Sequence, residues 1–206
     1  MTSKQLSSID LASDLVDRLV RLAAERSSAL VVALDGPDCS GKTTLSKELL
    51  TLGKCRASIA LAHFDDYLNQ SSVRLQRGEF SPIGFRLDYF DFAAFVDGVL
   101  APARQMKTPS APNKPHIVLA EGLFLLDRRL KPYFDCVIRL EISDELILSR
   151  AIARDVGVLG DERWVRRHYQ EQCIPAQQRY REEVSPERGA LITALACEDN
   201  QYVVNF

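Results

Sequence analysis

The sequence lacks any long apolar run. No segment of the 206 residues approaches the ~18 consecutive uncharged apolar residues that a membrane-spanning helix needs. The first residues carry scattered charges and have no apolar core of the kind found in a secretory signal. We therefore expect no membrane span and no export signal, and we interpret the chain as cytoplasmic.

Closely spaced cysteines and an excess of one charge are also missing. The five cysteines lie far apart and form no Cys-x-x-Cys pair, so we expect reduced thiols rather than disulfides or a zinc site. The formal net charge of −2 gives no reason to expect nucleic acid or an anionic membrane as a partner. The length and a hydrophobic content of 46% fit one domain over residues 1–206. Homo-oligomerisation stays open.

The most informative stretch is a glycine-rich segment between a strand pattern and a helix pattern. Residues 36–43 read Gly-Pro-Asp-Cys-Ser-Gly-Lys-Thr, which fits Gly, four residues, Gly-Lys-Ser/Thr. An apolar run at 29–34 predicts a buried strand before it, and residues 42–52 predict a helix after it. A strand, a glycine-rich turn and a helix form the context in which this pattern binds phosphate.

The chemistry of this segment follows from its backbone. Its N–H groups and the helix N-terminus attract phosphate oxygens, and Gly36 and Gly41 allow the close approach. We expect Lys42 to reach the β- and γ-phosphates of ATP and the hydroxyl of Thr43 to ligate Mg²⁺. Pro37 shapes the loop without donating a hydrogen bond. The other predicted nucleotide-binding residues here are Asp38, Cys39, Ser40 and Thr44.

Two further apolar runs lead into acidic residues. Residues 57–62 predict a buried strand followed by Asp65 and Asp66, and residues 116–122 predict a strand that ends at Glu121. Ligands of open α/β sheets bind at the carboxyl ends of strands, so these acids should lie near the phosphates. At least one of the adjacent aspartates is expected to be catalytic, and Glu121 to hold Mg²⁺ directly or through water. Capping of the following turn is the alternative role.

Residues 143–181 predict two arginine-rich helices joined by a glycine turn at 156–160. Ser143 caps the first helix, on which Arg150 and Arg154 share a face. The second helix covers 161–181 and has three arginines near its start, Arg163, Arg166 and Arg167. We interpret residues 150–170 as a lid that closes over ATP phosphates and excludes water. A solvated helical hairpin is the alternative.

The remaining segments predict a simple series of elements. An amphipathic helix over 8–26, capped by Ser8 or Asp10, should pack on the sheet edge. Residues 70–90 show no clean period and predict a loop or broken helix that binds substrate. The other expected elements are a helix at 91–100, an exposed connection or hairpin at 101–115, a short helix at 127–133, a strand at 135–141, and one or two terminal strands at 190–195 and 202–206.

Together these motifs resemble the uridine kinase-like branch of the P-loop kinases, over roughly residues 29–206. The resemblance rests on the segments 34–44, 64–67, 118–122, 150–155 and 169–180. It implies an α/β P-loop NTPase fold with three α/β/α layers, a mainly parallel sheet and a helical lid. It also implies transfer of the ATP γ-phosphate, with Mg²⁺, to a hydroxyl of a nucleoside-like small molecule.

The resemblance also implies roles for single residues. Asp65 matches the catalytic acid that accepts the hydroxyl proton, and Glu121 matches the acid on the metal side. Lys42 and Arg154 complete the catalytic set, and Arg150, Arg154 and Arg166 are further nucleotide contacts. The expected metal ligands are Thr43, Asp65 and Glu121, and the expected substrate contacts are Asp65, Tyr67, Arg86, Asp88, Glu121 and Tyr169.

The acceptor is not decided by these motifs. Nucleoside kinases of the family carry Asp-His-Pro after the first acid, whereas this chain has Arg-Leu-Asp-Tyr-Phe-Asp at 86–91. Nicotinamide riboside, pantothenate, a phosphosugar or a nucleotide therefore remain alternative acceptors. A regulatory GTPase is disfavoured because the nearest string to Asn-Lys-x-Asp is Asn-Lys-Pro-His at 113–116. A non-catalytic ATP-binding module and inhibition by oxidation of Cys39 are further hypotheses.

Overall fold

The computed structural model describes residues 3–107, 114–184, 192–197 and 201–205. Within these residues seven strands form one sheet. The strands are β1 (Ser3–Ser7), β2 (Leu30–Asp35), β3 (Ser58–His63), β4 (His116–Gly122), β5 (Cys136–Glu141), β6 (Ile192–Ala196) and β7 (Gln201–Asn205). Their order across the sheet is β1-β7-β6-β5-β2-β4-β3.

The sheet is mainly parallel, as the sequence predicts. Strand β2 pairs in parallel with β4 and β5, β3 with β4, and β6 with β5. Only β7 and β1 run antiparallel to their neighbours among the described strands. Strand β2 is buried along its whole length, which accounts for its continuous apolar sequence, because helices cover both faces of a parallel sheet.

The described helices pack on this sheet and on one another. They are α1 (Ser8–Ala24), α2 (Lys42–Gly53), α3 (Ser71–Arg74), α4 (Pro82–Leu87), α5 (Phe92–Phe95), α6 (Ala101–Gln105), α7 (Asp144–Leu159), α8 (Glu162–His168) and α9 (Ile174–Val184). No described helix has both the length and the apolar character needed to cross a membrane. The α/β class and the layered, mainly parallel architecture are confirmed.

Two predicted details at the edges of the sheet were wrong, and one edge strand was not predicted. Helix α1 is capped by Ser7, whose Oγ accepts the N–H of Asp10, and it packs on α2 rather than only on the sheet edge. Strand β3 is not buried, because it lies at the edge with β4 as its one neighbour. Strand β1 has no clear strand signal in the sequence, because Leu6 is its one apolar residue.

Several helix boundaries also differ from the prediction. The helix at 91–100 continues through a π-helical turn (Val96–Leu100) into α6, so 101–105 is helical, although most of its side chains are exposed as predicted. Residues 108–113 of that segment lie outside the described residues. Helix α7 runs through Gly157 to Leu159, so only Gly160, with φ +76°, forms the turn. The 127–133 segment is a turn followed by a 3₁₀ helix, Lys131–Tyr133.

Segment 70–90 is a broken helix, α3 and α4, as expected. The helix predicted over 161–181 is also present, but it contains a π-helical turn (Tyr169–Cys173) between α8 and α9. The terminal strands are β6 and β7.

A buried polar cluster fixes α9 over the carboxyl edge of the sheet. Asp35, the last residue of β2, is fully buried and accepts hydrogen bonds from the guanidinium of Arg139 and from the hydroxyl of Tyr180. The Tyr180 hydroxyl lies 2.9 Å from Asp35 and accepts the N–H of Leu126 at 2.8 Å. Buried charges are stable only when they are paired in this way. Because the glycine-rich loop begins at residue 36, the cluster holds α9 beside that loop.

Candidate active site

The glycine-rich loop can adopt its shape only with glycine at two positions. Gly41 has φ +92°, and a Cβ there would lie 2.3 Å from the hydroxyl of Tyr202. A Cβ at Gly36 would lie 2.8 Å from the carbonyl oxygen of Leu140. Both distances are far inside van der Waals contact, so side chains would displace the loop. The loop therefore keeps its backbone open as a cradle of the kind that surrounds phosphate.

Lys42 folds back over this loop. Its Nζ donates to the carbonyl oxygens of Gly36 at 2.9 Å and Pro37 at 2.7 Å. Arg150 supports the loop from outside, because its guanidinium donates to the carbonyl oxygens of Cys39 at 2.9 Å and Cys197 at 2.5 Å. The structure thus gives Lys42 a position over the cradle, whereas Arg150 is occupied by backbone carbonyls.

A carboxylate with one unused oxygen lies beside the loop. Glu121 is 5% exposed, and its Oε1 lies 3.0 Å from the Thr43 hydroxyl and 2.6 Å from Nδ1 of His63. Its Oε2 is buried and has no hydrogen-bond partner among the described residues. A buried oxygen without a partner costs about 1–3 kcal/mol. A cation bound at this oxygen would remove that cost.

This donor set fits Mg²⁺. Mg²⁺ is commonly bound by one or two protein oxygens together with phosphate oxygens and water. The described residues contain no group of three or more His, Cys, Asp and Glu side chains with metal-site spacing. Thr43 and Glu121 could therefore hold the ion only together with phosphate and water, which is the arrangement of nucleotide sites.

Asp65 follows β3 in a short 3₁₀ turn (Phe64–Asp66). Its side chain is exposed at the mouth of a cleft, and crowding by the surrounding protein raises the pKa of its carboxyl. The charge of Lys42 opposes the shift, while Asp38 and Glu121 add to it. Asp65 is thus close enough to both the loop lysine and the metal-side carboxylate to interact with their charges.

A cavity of about 250 Å³ lies next to Asp65. Five segments contribute to it: the glycine-rich loop, the turn after β3, residues 85–90, the residue after β4, and the π-helical turn with the residue before it. Its lining residues are Asp38, Asp65, Leu68, Phe85, Tyr89, Phe90, Leu123, His168, Tyr169 and Cys173. We refer to it as the acceptor cavity.

The structure does not bring every predicted substrate contact to this cavity. Tyr169 lines it, but the ring of Tyr67 packs against Phe95 with their centroids 5.0 Å apart. Arg86 and Asp88 line a different cavity of about 540 Å³. There Arg86 pairs with Asp127 at 2.8 Å, and its guanidinium lies over the rings of Phe124 and Tyr180.

Only some of the arginines predicted in the lid lie near the glycine-rich loop. Arg154 donates to Asp155 at 2.6 Å and to the Tyr169 hydroxyl at 2.8 Å, and it lies close enough to Cys39 to influence that thiol. The hydrogen bond to Asp155 holds the pKa of Arg154 above its usual range. Arg166 instead pairs with Glu162 on an exposed helix face at 2.8 Å. In this conformation Arg154 lies near the loop, as Arg150 does, whereas Arg166 is on an exposed face away from these contacts.

Sequence reasoning missed several residues of the site. Gln177 donates to Asp38 Oδ2 at 2.7 Å and accepts the Asp38 N–H at 3.2 Å. Cys173 Sγ lies 3.3 Å from Nε2 of His168 at the cavity wall. The spacing of Tyr169, Cys173 and Gln177, four residues apart each time, could have indicated one shared helix face. The role of His63 depends on strand order, which leaves no comparable signal.

Burial raises the pKa of the Cys39 thiol to about 11. At neutral pH this residue is therefore a protonated thiol, which reacts slowly with oxidants because the thiolate is the reactive form. The position of the thiol in the loop thus gives little support to the oxidation hypothesis.

Comparisons with known proteins give a match only at the level of structure. No protein-family model matches the sequence, and a search of curated proteins found no match. A candidate uridine kinase from Bacillus stearothermophilus matches with TM-score 0.61 and 19% identity, over 87% of this chain and 98% of that chain. A candidate fructose transport system kinase from Silicibacter sp. TM1040 matches with TM-score 0.67 and 19% identity, over 86% and 95%.

A third solved structure agrees with these two. The D-glycerate 3-kinase from Cryptococcus neoformans matches with TM-score 0.62 and 11% identity, over 91% of this chain and 94% of that chain. The three proteins are named for different acceptors, and all are below 25% identical to this chain, so the likeness concerns architecture. The chain has the fold of the uridine kinase-like P-loop kinases.

Proposed function

We propose that the protein is an ATP-dependent small-molecule kinase that transfers the γ-phosphate to a hydroxyl group. One observation carries this proposal: Asp65 lines the acceptor cavity and is close enough to Lys42 and Glu121 to interact with their charges. A base between a phosphate site and a substrate cavity is the arrangement that phosphoryl transfer to a hydroxyl needs. The kinase names of the structural neighbours support the same reaction class.

The residues would divide the reaction between them. The loop N–H groups and Lys42 would bind the phosphates, and Thr43 and Glu121 would hold Mg²⁺, which neutralises phosphate charge when bound. Asp65 would accept the proton of the acceptor hydroxyl, and its raised pKa suits it to that task. Arg154, next to the loop, would stabilise charge on the transferred group.

The acceptor we propose is nucleoside-like. Phe85, Tyr89 and Phe90 give the cavity flat aromatic walls that can pack on a planar ring. The carboxylates of Asp38 and Asp65 can accept hydrogen bonds from sugar hydroxyls. Another small metabolite is the alternative acceptor, and an ATP-binding module without phosphoryl transfer is the alternative function.

Product formation tests the proposal directly. The purified protein, Mg²⁺ and ATP are incubated with uridine, cytidine, other nucleosides, nicotinamide riboside, pantothenate, fructose and D-glycerate, and products are identified by mass. We expect one group of related acceptors to gain 80 mass units and the product to disappear with Asp65→Asn. Tight binding of Mg·ATP without any product would instead favour the binding module.

A further inference from the structure

The glycine-rich loop carries an acidic side chain that its phosphate-binding role does not require. Asp38 lies in the loop, yet its side chain lines the acceptor cavity. The charge of Asp38 raises the pKa of Tyr169. Burial lowers the pKa of His168, and the charge of Asp38 opposes that shift. Asp38 therefore interacts with two other residues that line the cavity. A carboxylate beside a phosphate site is repulsive unless another group uses it.

Gln177 holds this carboxylate in one orientation. Its side-chain amide makes two hydrogen bonds to Asp38, one to Oδ2 and one from the backbone N–H, at 2.7 and 3.2 Å. Gln177 is 2% exposed and sits on α9, which the buried cluster around Asp35 fixes. Oδ1 of Asp38 has no hydrogen-bond partner among the described residues. The geometry therefore leaves one acceptor oxygen available to a ligand.

The cations near this cavity include Lys42, whose charge acts on Asp65, and Arg74, whose guanidinium lies 5.0 Å from the centroid of the Tyr89 ring. The lining of the cavity contains no lysine or arginine among the described residues. Burial lowers the pKa of His168, so that ring is neutral at neutral pH. Among the nearby cations, Lys42 is directed to the loop carbonyls and Arg154 to Asp155 and Tyr169. An anionic acceptor would thus meet two carboxylates in a cavity that no described lysine or arginine lines.

We propose that Asp38 is an acceptor-specificity residue, which binds a second donor group of the acceptor and, with Asp65, restricts acceptors to uncharged or cationic polyhydroxylated molecules. The inference rests on the proposed kinase function of the same site. The proposed role of Asp38 excludes carboxylated and phosphorylated acceptors, whereas the kinase function alone would allow them. The cavity volume corresponds to about eight water molecules at ~30 Å³ each, so the acceptor is a small molecule.

Acceptor pairs that differ by one carboxylate test this proposal. The pairs are uridine and orotidine, nicotinamide riboside and nicotinic acid riboside, and glycerol and D-glycerate. We expect kcat/KM of the member without the carboxylate to be higher by roughly tenfold or more, because like charges at short range are costly. A preference for carboxylated members would overturn the inference and leave the kinase function intact.

Two variants separate charge from structure. Asp38→Asn keeps the shape and both contacts to Gln177, so the gap within each pair should shrink by about threefold or more. Gln177→Met loosens the loop but keeps the Asp38 charge, so it should lower turnover without closing the gap. If the ratio of kcat/KM within each pair is unchanged in Asp38→Asn and only the KM for ATP changes, Asp38 contributes to nucleotide binding and the inference is wrong.

A binding assay keeps the inference testable when turnover is absent. The same pairs are titrated into the wild type and Asp38→Asn with Mg²⁺ and a non-hydrolysable ATP analogue, and melting temperatures confirm that the variant is folded. The inference is supported if the wild type binds the uncharged or cationic members selectively and Asp38→Asn loses this selectivity. This holds even if no product forms and the kinase function fails. Equal binding of both members, or no binding of either, would refute it.

Discussion

The proposed phosphate side and the proposed acceptor side of this site are built in different ways. Most of the phosphate side is one short stretch, 36–43, whose shape follows from two glycines and a helix N-terminus. The acceptor side draws its walls from five segments spread between residues 38 and 173. The first is encoded locally and can be recognised in a sequence, whereas the second exists only after the long-range packing of the sheet and α9.

The two sides meet at Asp65, and Asp65→Asn should have the largest effect. Removing the base should lower kcat by roughly 10² to 10⁴, while the amide keeps the shape of the cleft. ATP affinity, measured by calorimetric titration, should change little, because Asp65 does not belong to the loop. If ATP affinity falls as strongly as kcat, Asp65 also contributes to nucleotide binding, and this variant does not distinguish the two sides.

Lys42→Ala tests the phosphate side alone. We expect kcat/KM for ATP to fall by roughly 10² to 10³, since the variant removes the charge over the cradle. Lys47→Ala, on the exposed face of the same helix, is the matched control and should behave as the wild type. Equal effects of the two substitutions in steady-state kinetics would contradict the role of Lys42.

Gly41→Ala tests the backbone shape of the loop. The new Cβ would meet the Tyr202 hydroxyl, and the positive φ would cost about 1–2 kcal/mol, so ATP affinity should fall about tenfold. Adding Tyr202→Phe should restore part of the affinity by removing the clash. Gly78→Ala carries the same kind of φ, +96°, in open space, so it should lose stability in urea unfolding but keep its ATP affinity.

The pH dependence should distinguish the two sides through Asp65. Its raised pKa means that kcat should fall as pH decreases through that pKa, because the protonated carboxyl cannot accept the hydroxyl proton. The folded state then binds more protons than the unfolded state between the ordinary value of 3.8 and the raised pKa. Stability should therefore decrease as pH rises through this window.

Asp65→Asn is the control for that pH effect. It lacks the titrating group, so it should melt at a slightly higher temperature than the wild type at neutral pH and lose this part of the pH dependence. Melting curves between pH 3 and pH 8 provide the measurement. A variant less stable than the wild type at neutral pH would argue against the reduced hydration of Asp65.

The lid arginines should give the smallest effects on stability. Arg166→Ala breaks an exposed pair with Glu162, which is worth about 0.3–0.5 kcal/mol. Its kcat should fall less than that of Arg154→Ala, because Arg154 lies beside the loop. A larger loss of kcat in Arg166→Ala would indicate that the lid moves far enough during turnover to bring Arg166 to the phosphates.

The sequence predicts what depends on neighbours along the chain. The strand, loop and helix over 29–53 could be recognised because glycine spacing and apolar runs are local signals. The contact between His63 and Glu121 could not, since it depends on β3 and β4 being adjacent in the sheet. The same limit applies to Arg86: the preceding residue, Phe85, lines the acceptor cavity, whereas the Arg86 side chain pairs with Asp127.

The π-helical turn Tyr169–Cys173 has a consequence for how this protein could change over generations. A π turn contains one more residue than an α-helical turn, and such turns occur often at functional sites. Deleting one residue there would rotate α8 relative to α9 by about 100°, since an α-helix has 3.6 residues per turn. A single lost codon would exchange the side chains that face the acceptor while the glycine-rich loop stayed as it is, so a lineage could acquire a new substrate without losing its nucleotide.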